Sequence, residues 1–250
     1  MKTVLASALL FLGVSAQSQA SVIVFSDGNF NTGWSNITVT DQNTTGTTTY
    51  VTSNPSTGGN SNFFRQETHT SVQVSGAPTL AALHFGNFNS AANYNPSIEG
   101  AITSLSFGYD LLYIADTIPG FRQVIVGYGL IAEQNGRYYR AYFGDFGGVG
   151  NSWTSFSHAG LSSTNFHEIF NSGSYPHFNA SSNPDFSSTG SNIRFGYVVA
   201  NGFSGAINGN TGIDNWNVAI TNETPEPATF AVVGAGLLGV AFLRRRRAKS

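Results

Sequence analysis

Cysteine is missing from this 250-residue chain, lysine is missing from its whole middle, and charged residues of all kinds make up only 10%. Without cysteine there is neither a disulfide framework nor a thiolate metal site. Typical soluble domains carry about 25% charge. A disordered chain pairs low hydrophobicity with high net charge, whereas here 40% of residues are hydrophobic and the formal charge is −2. Between Ser21 and Thr224 the only basic residues besides histidine are Arg65, Arg122, Arg137, Arg140 and Arg194, against 12 acids, a formal charge of −7. That stretch lacks the basic footprint of a nucleic-acid binder.

The remaining basic residues sit at the two ends. Met1-Lys2-Thr3 leads into an apolar run from Val4 to Val14 and then Ser15-Ala16-Gln17-Ser18-Gln19-Ala20. A positive start, a short apolar run and small residues at Ser18 and Ala20 describe a secretory signal peptide over residues 1–20, cut by signal peptidase after Ala20, with Ala16 as the second choice. At the other end Pro225-Glu226-Pro227 precedes sixteen uncharged residues, Ala228 to Leu243, and then Arg244-Arg245-Arg246-Arg247. As a helix those sixteen residues reach roughly 24 Å, the short limit for a bilayer span. The arginines belong on the cytoplasmic side, which puts the preceding body outside. The two prolines disfavour helix before them and separate body from span.

This order of motif, span and basic cluster over residues 223–250 resembles the PEP-CTERM sorting signal of Gram-negative bacteria that make exopolysaccharide. The resemblance implies recognition by an exosortase, cleavage near Pro225-Glu226-Pro227, and release or re-anchoring of the body after a transient membrane stage. The alternative is a permanent single-span anchor whose small residues Ala231, Ala235 and Gly239 pack helices together.

Residues 21–222 read as one domain of strands. Thr103, Leu105, Phe107 and Tyr109 alternate with Ile102, Ser104, Ser106 and Gly108, and Val72 and Val74 alternate with polar neighbours. Gln123 to Ile131 reads as a strand buried on both faces. Arg137 to Phe143 follows across Asn135-Gly136, a tight-hairpin signal. Further strands are expected at Val22–Phe25, Trp34–Thr40, Thr47–Thr52, Leu80–Phe85, Ile193–Ala200 and Asp214–Ile220, and a short helix within Ser162–Phe170. Many short strands joined by Gly, Asn, Ser and Pro turns predict an all-β, antiparallel jelly-roll β-sandwich.

Phe25-Ser26-Asp27-Gly28-Asn29-Phe30, Ile102 to Tyr113, and Gly212-Ile213-Asp214-Asn215-Trp216-Asn217-Val218 give the body a resemblance to jelly-roll carbohydrate-binding modules and concanavalin-like lectins. In such domains the terminal strands lie side by side and a structural calcium can sit there, which would enlist Asp27 and Asp214. The simpler reading makes both aspartates turn residues that bond local backbone. A sugar site needs an aromatic face and planar polar groups; Trp34, Tyr94, Tyr138, Tyr142, Trp153 and Tyr175 are the candidates, with Arg140 and asparagines beside them, and Tyr94 and Tyr175 are expected on exposed loops. Most aromatics of the chain must fill the core.

Catalytic motifs are scarce. His167-Glu168 lacks the second histidine of a metalloprotease helix, and no Gly-x-Ser-x-Gly elbow or phosphate loop occurs. Glu99, Asp110, Glu133, Asp145 and Glu168 are available for a glycosidase pair, but the Glu-x-Asp-x-Glu strand of concanavalin-like glucanases is missing. His69, His84, His158, His167 and His177 show no ligand spacing and are expected in loops or at the surface. The sequence therefore points to an exported, non-catalytic protein of the exopolysaccharide or biofilm matrix, binding glycan or serving structurally, with no cofactor beyond a structural calcium. The rivals are a polysaccharide-active enzyme on the same fold and a surface protein without a glycan site.

Overall fold

Leu105, Phe107, Tyr109 and Leu111 fall on one face of a single long strand and all are buried. A strand with one apolar face must lay it against a second layer. In the computed structural model, which describes residues 20–223 except 32, 41–46, 61, 73–80, 117–124, 146–151, 173–174 and 204–206, that layer is a second sheet. In chain order the elements are β1 (Ala20–Asp27), β2 (Trp34–Thr40), β3 (Thr47–Ser53), β4 (Arg65–Val72), β5 (Ala81–Tyr94), helix α1 (Pro96–Glu99), β6 (Ile102–Asp116), β7 (Ile125–Gln134), β8 (Arg137–Asp145), β9 (Thr154–Leu161), β10 (His167–Ser172), β11 (Tyr175–Asn179), β12 (Ile193–Phe203) and β13 (Ile207–Glu223).

The first sheet runs β3-β4-β13-β6-β9. Strand β13 is long enough to pair with β4 through Ile207–Ile213 and, further along the same edge, with β1 through Trp216–Glu223. The second sheet runs β11-β10-β8-β7-β12-β5-β2. Every pairing is antiparallel and the chain passes repeatedly between sheets, the jelly-roll sandwich that the sequence predicts. Trp216, Tyr109, Tyr128, Tyr197, Phe30, Phe107 and Phe195 fill the space between them.

The seven-stranded sheet also curls on itself until β10 and β2, five places apart, approach within 8 Å between Cα atoms. Its other face therefore closes over a second apolar cluster of Val39, Phe88, Ile131, Ile169 and Val198, with Ile37 and Tyr138 against it. Arg140 and His84 meet at 2.6 Å, the guanidinium donating to imidazole Nε2. Burial pulls His84 down to about 3, and the Arg140 charge adds to the fall.

Asn135 and Gly136, at φ 55° and 73°, make the tight turn between β7 and β8. The expected helix at Ser162–Phe170 shrinks to one 3-10 turn, Ser163–Asn165, and the chain then enters β10. Pairing with β8 and β11 and burial of Ile169 override local helix preference there. Strands β9 and β11 lie outside the expected set, β4 ends on Val72 of the expected alternation, and β5 runs nine residues past the expected end at Phe85. Ala20 is the first residue of β1, whereas the rest of the signal segment, Val74 and the span at 228–243 lie outside the described residues. Among the described residues no helix is long and apolar enough to cross a membrane.

Candidate functional site

Four strands bring one row of chemistry-bearing side chains to the end of the curled sheet. Asn93 on β5 is opposite Arg194 on β12, Arg194 is opposite Glu133 on β7, and Glu133 is opposite Tyr138 on β8. Cross-strand partners share a face. The row depends on an irregularity in β5: four residues, Asn89 to Ala92, stand against the single residue Phe195 of β12. Gly196 allows the close approach this needs, since a Cβ there would lie 1.9 Å from the Asn87 carbonyl oxygen.

Arg194 Nε donates to Glu133 Oε2 at 2.9 Å, and Nη2 donates to the same oxygen. The guanidinium lies 4.5 Å over the Phe88 ring, which is 5.9 Å from the ring of Tyr138. Burial raises the Tyr138 phenol above its usual range, and the Glu133 charge raises it further. Asn135 in the turn and Asn192 just before β12 complete a pocket of about 180 Å³. Gln134 fixes this rim: its amide donates to the carbonyls of Asp185 and Ser191 at 2.9 Å and accepts from Asp185 N–H at 2.7 Å. Ser191 Oγ donates in turn to Asn135 Oδ1 at 2.8 Å.

Chemically, the pocket offers three amides, a mutually neutralised guanidinium and carboxylate, and a phenol ring beside them. Such a set recognises hydroxyl groups through paired donors and acceptors. Glu133 is its only carboxylate among the lining residues. Tyr138 and, as an acid, Glu133 are among the residues the sequence singles out; Asn93, Asn192 and Arg194 are not. Glu133 and Arg194 are 61 residues apart in the chain and meet only through the β7–β12 register.

The other expected sugar-binding aromatics disperse. Tyr94 is a correction: it is fully buried, with its hydroxyl donating to Gly100 O at 2.7 Å. It ends a core-facing strand and does not sit on an exposed loop. Trp34 packs at 5.0–5.4 Å from Phe30, Trp216 and Tyr197 in the intersheet core. Trp153 is half-buried on the far side of the first sheet, donating to Gly58 O at 3.0 Å and meeting Phe64 edge-on at 5.5 Å. Tyr142 lies in β8 and Tyr175 in β11, and both side chains fall outside the described residues.

The terminal strands do lie side by side, yet Asp27 and Asp214 do not form a pair. Asp27 is opposite Trp216, and its oxygens accept from Asn29 N–H at 2.9 Å, Phe30 N–H at 2.8 Å and Trp34 Nε1 at 2.8 Å. Asp214, beyond a bulge at Asn215, is opposite Asp110 on β6 and accepts from Asn215 N–H at 2.7 Å. Asp110 Oδ2 accepts from the Asn60 and Asn215 amides at 2.6 Å each. Burial works against its charge, but these amides and Ser155 hold the carboxyl below its ordinary value. No group of three or more His, Asp or Glu side chains suited to a metal occurs among the described residues.

The other carboxylates considered for glycoside cleavage each have partners of their own. Glu99 caps α1 through Asn95 N–H at 2.6 Å, Glu168 meets Arg137 at 3.4 Å, and Asp145 Oδ2 is held at 2.5 Å by both Tyr109 OH and His158 Nε2. His69 and His84 are buried and not at the surface; His177 is outside the described side chains. Glu67, which no sequence motif singles out, is buried between the sheets. Its Oε1 accepts from Tyr50 OH at 2.8 Å and its Oε2 from Tyr128 OH at 2.6 Å, with His69 Nε2 at 3.7 Å. Burial opposes its charge, but His69 and the tyrosine hydroxyls outweigh it and hold Glu67 below its usual range. Burial and the Glu67 charge push Tyr50 and Tyr128 well above theirs.

Residues 223–247 match the PEP-CTERM protein-sorting motif. The chain therefore carries that motif, which marks an exported protein with a transient membrane anchor. Among the solved structures similar to this chain are two carbohydrate-binding modules. One is the family 11 carbohydrate-binding module of a cellulosomal cellulase of Clostridium thermocellum, at 11% identity and a TM-score of 0.40, covering 79% of this chain and 95% of that one. The other is a family 11 module from the same organism in complex with a β-1,3-1,4-mixed-linked tetrasaccharide, at 10% identity and a TM-score of 0.40, covering 78% and 94%. None of the curated proteins matches this chain.

Proposed function

We propose that the chain is an exported matrix protein, cut by signal peptidase after Ala20 and by an exosortase near Pro225. Its jelly-roll body then binds hydroxyl-rich glycan in the exopolysaccharide layer at the outer surface of a Gram-negative cell. The observation that carries the binding half is the row Asn93–Arg194–Glu133–Tyr138, opened into a polar pocket by Asn135 and Asn192. The formal −7 of the body disfavours a strongly acidic polymer, and the cancelled charges in the pocket suit a neutral one. A lone carboxylate held by an arginine supports binding over glycoside cleavage, which uses two carboxyl groups about 5–10 Å apart.

The test is co-sedimentation of the processed protein with the producing organism's purified exopolysaccharide, with released reducing ends measured in the same tubes. Saturable binding without new ends is expected. Tyr138→Ala and Asn192→Ala should each weaken it by roughly tenfold, the value of about one well-made contact, while Tyr94→Phe should leave it unchanged. New reducing ends would make the protein an enzyme. Absence of both would leave a surface protein without a glycan site.

A further inference from the structure

The pocket and the C-terminal end of β13, from which the sorting motif continues in sequence, lie at the same end of the sandwich. Strand β13 ends at Glu223, whose N–H donates to Ala101 O at 2.9 Å. The adjacent carbonyl, Gly100 O, accepts from Tyr94 OH, one residue from Asn93 of the pocket. Ile193, next to Arg194, is opposite both Tyr94 and Gln134, so the β7–β8 turn and the start of β12 belong to this pole too. From Glu223 only Thr224 to Pro227 separate the body from the uncharged run at Ala228. Four residues span at most about 14 Å.

The same pole exposes apolar side chains that the fold leaves uncovered. Ile98 on α1 is 72% exposed, and Val22, opposite Thr221 near the end of β13, is 61% exposed. An apolar residue beside a short tether is suited to the bilayer interface. We propose that, while the sorting segment is still in the membrane, the body stands on this pole with the lipid bilayer covering the Asn93–Arg194 pocket. The sorting cut near Pro225 then uncovers the pocket. The precursor is thereby kept from polymer until it has been processed. The orientation stands on the fold and the tether length; only its consequence for glycan rests on the function proposed above.

The absence of cysteine makes the test direct. Single variants Asn192→Cys, in the pocket, and Val51→Cys, on β3, are placed in the full chain and reconstituted in lipid vesicles. Val51 is opposite Thr68, which is opposite Asn210, about 40 Å along β13 from Glu223. Each cysteine is labelled with a small maleimide and with a maleimide on a long polymer, and the ratio of the two rates reads crowding alone. The ratio at position 192 is expected to be about an order of magnitude below that at position 51 in the anchored chain, and equal to it in the processed form. Equal ratios in the anchored chain would overturn the orientation. Processed protein that fails to bind glycan, with position 192 still shielded in the anchored chain, would strike the glycan reading and uphold the orientation.

Discussion

Ala20 faces Glu223 across the first rung of the β1–β13 ladder, and on the next rung Ser21 Oγ donates to Asn222 Oδ1 at 2.5 Å. The expected signal-peptidase bond, Ala20–Ser21, thus lies inside a sheet once the body has folded. A peptidase takes its substrate as an extended strand, which a strand already paired on that edge does not offer. Signal removal is therefore expected to precede closure of the sandwich, which waits for the last strand to emerge. Folded full-length precursor should resist signal peptidase at Ala20, whereas a precursor ending at residue 205, before β13, should be cut; intact mass reads both. Equal cutting would refute this order of events.

Buried His84, against the partly buried Arg140, makes stability depend on acid. Unfolded His84 takes its proton near the ordinary histidine value of about 6.5, while the native residue declines it until about 3. Between those values the unfolded state binds more protons, so stability rises with pH and is lost as pH falls. One such proton gives a slope of about 1.4 kcal/mol per pH unit. His84→Gln should flatten the urea-unfolding profile in this window by up to that amount relative to the parent protein, and parallel profiles would show that His84 is not the group concerned.

Glu67 is the ionised centre of a polar cluster between two aromatic layers. Removing its charge leaves the hydroxyls of Tyr50 and Tyr128 without their strong acceptor in a place water does not reach. Glu67→Leu is expected to cost about 3 kcal/mol, a fall of about 10 °C in Tm for a domain of this size. A change within about 1 °C would mean that the cluster repacks without loss.

Calcium is expected to leave the body unaffected. Three N–H donors already occupy Asp27, and Asp214 is opposite Asp110 and not Asp27. A ion bound only to the folded state would raise Tm with its concentration. Melting curves in excess calcium and in chelator should coincide; a clear upward shift with calcium would show that these carboxylates do gather a cation.

Local signals in the sequence were legible where short-range chemistry decides the outcome. Asn135-Gly136 announced its turn because left-handed backbone at both positions is rare for other residues. Alternation around Leu105 to Tyr109 announced a strand and its buried face. Burial of Tyr94 was hidden because β5 runs on past Phe85 through a bulge that no periodicity shows. The Ser162–Phe170 segment looked helical from its serine and threonine cap residues, whereas pairing with β8 and β11, which no local signal there shows, draws its second half into a strand. The pocket was illegible for the same reason. Tyr138 stood out as an aromatic, but its partners Glu133, Arg194 and Asn93 come together only through the register of four strands.

The most direct measurement follows the side-chain amide signals of Asn93, Asn135 and Asn192 by nuclear magnetic resonance. The processed protein would be titrated with oligosaccharides cut from the producing organism's exopolysaccharide. The account predicts saturable shifts concentrated on these three amides and on Tyr138, abolished in Arg194→Ala while the core signals stay folded. Shifts that map elsewhere on the sandwich, or no shifts at saturating oligosaccharide, would contradict it.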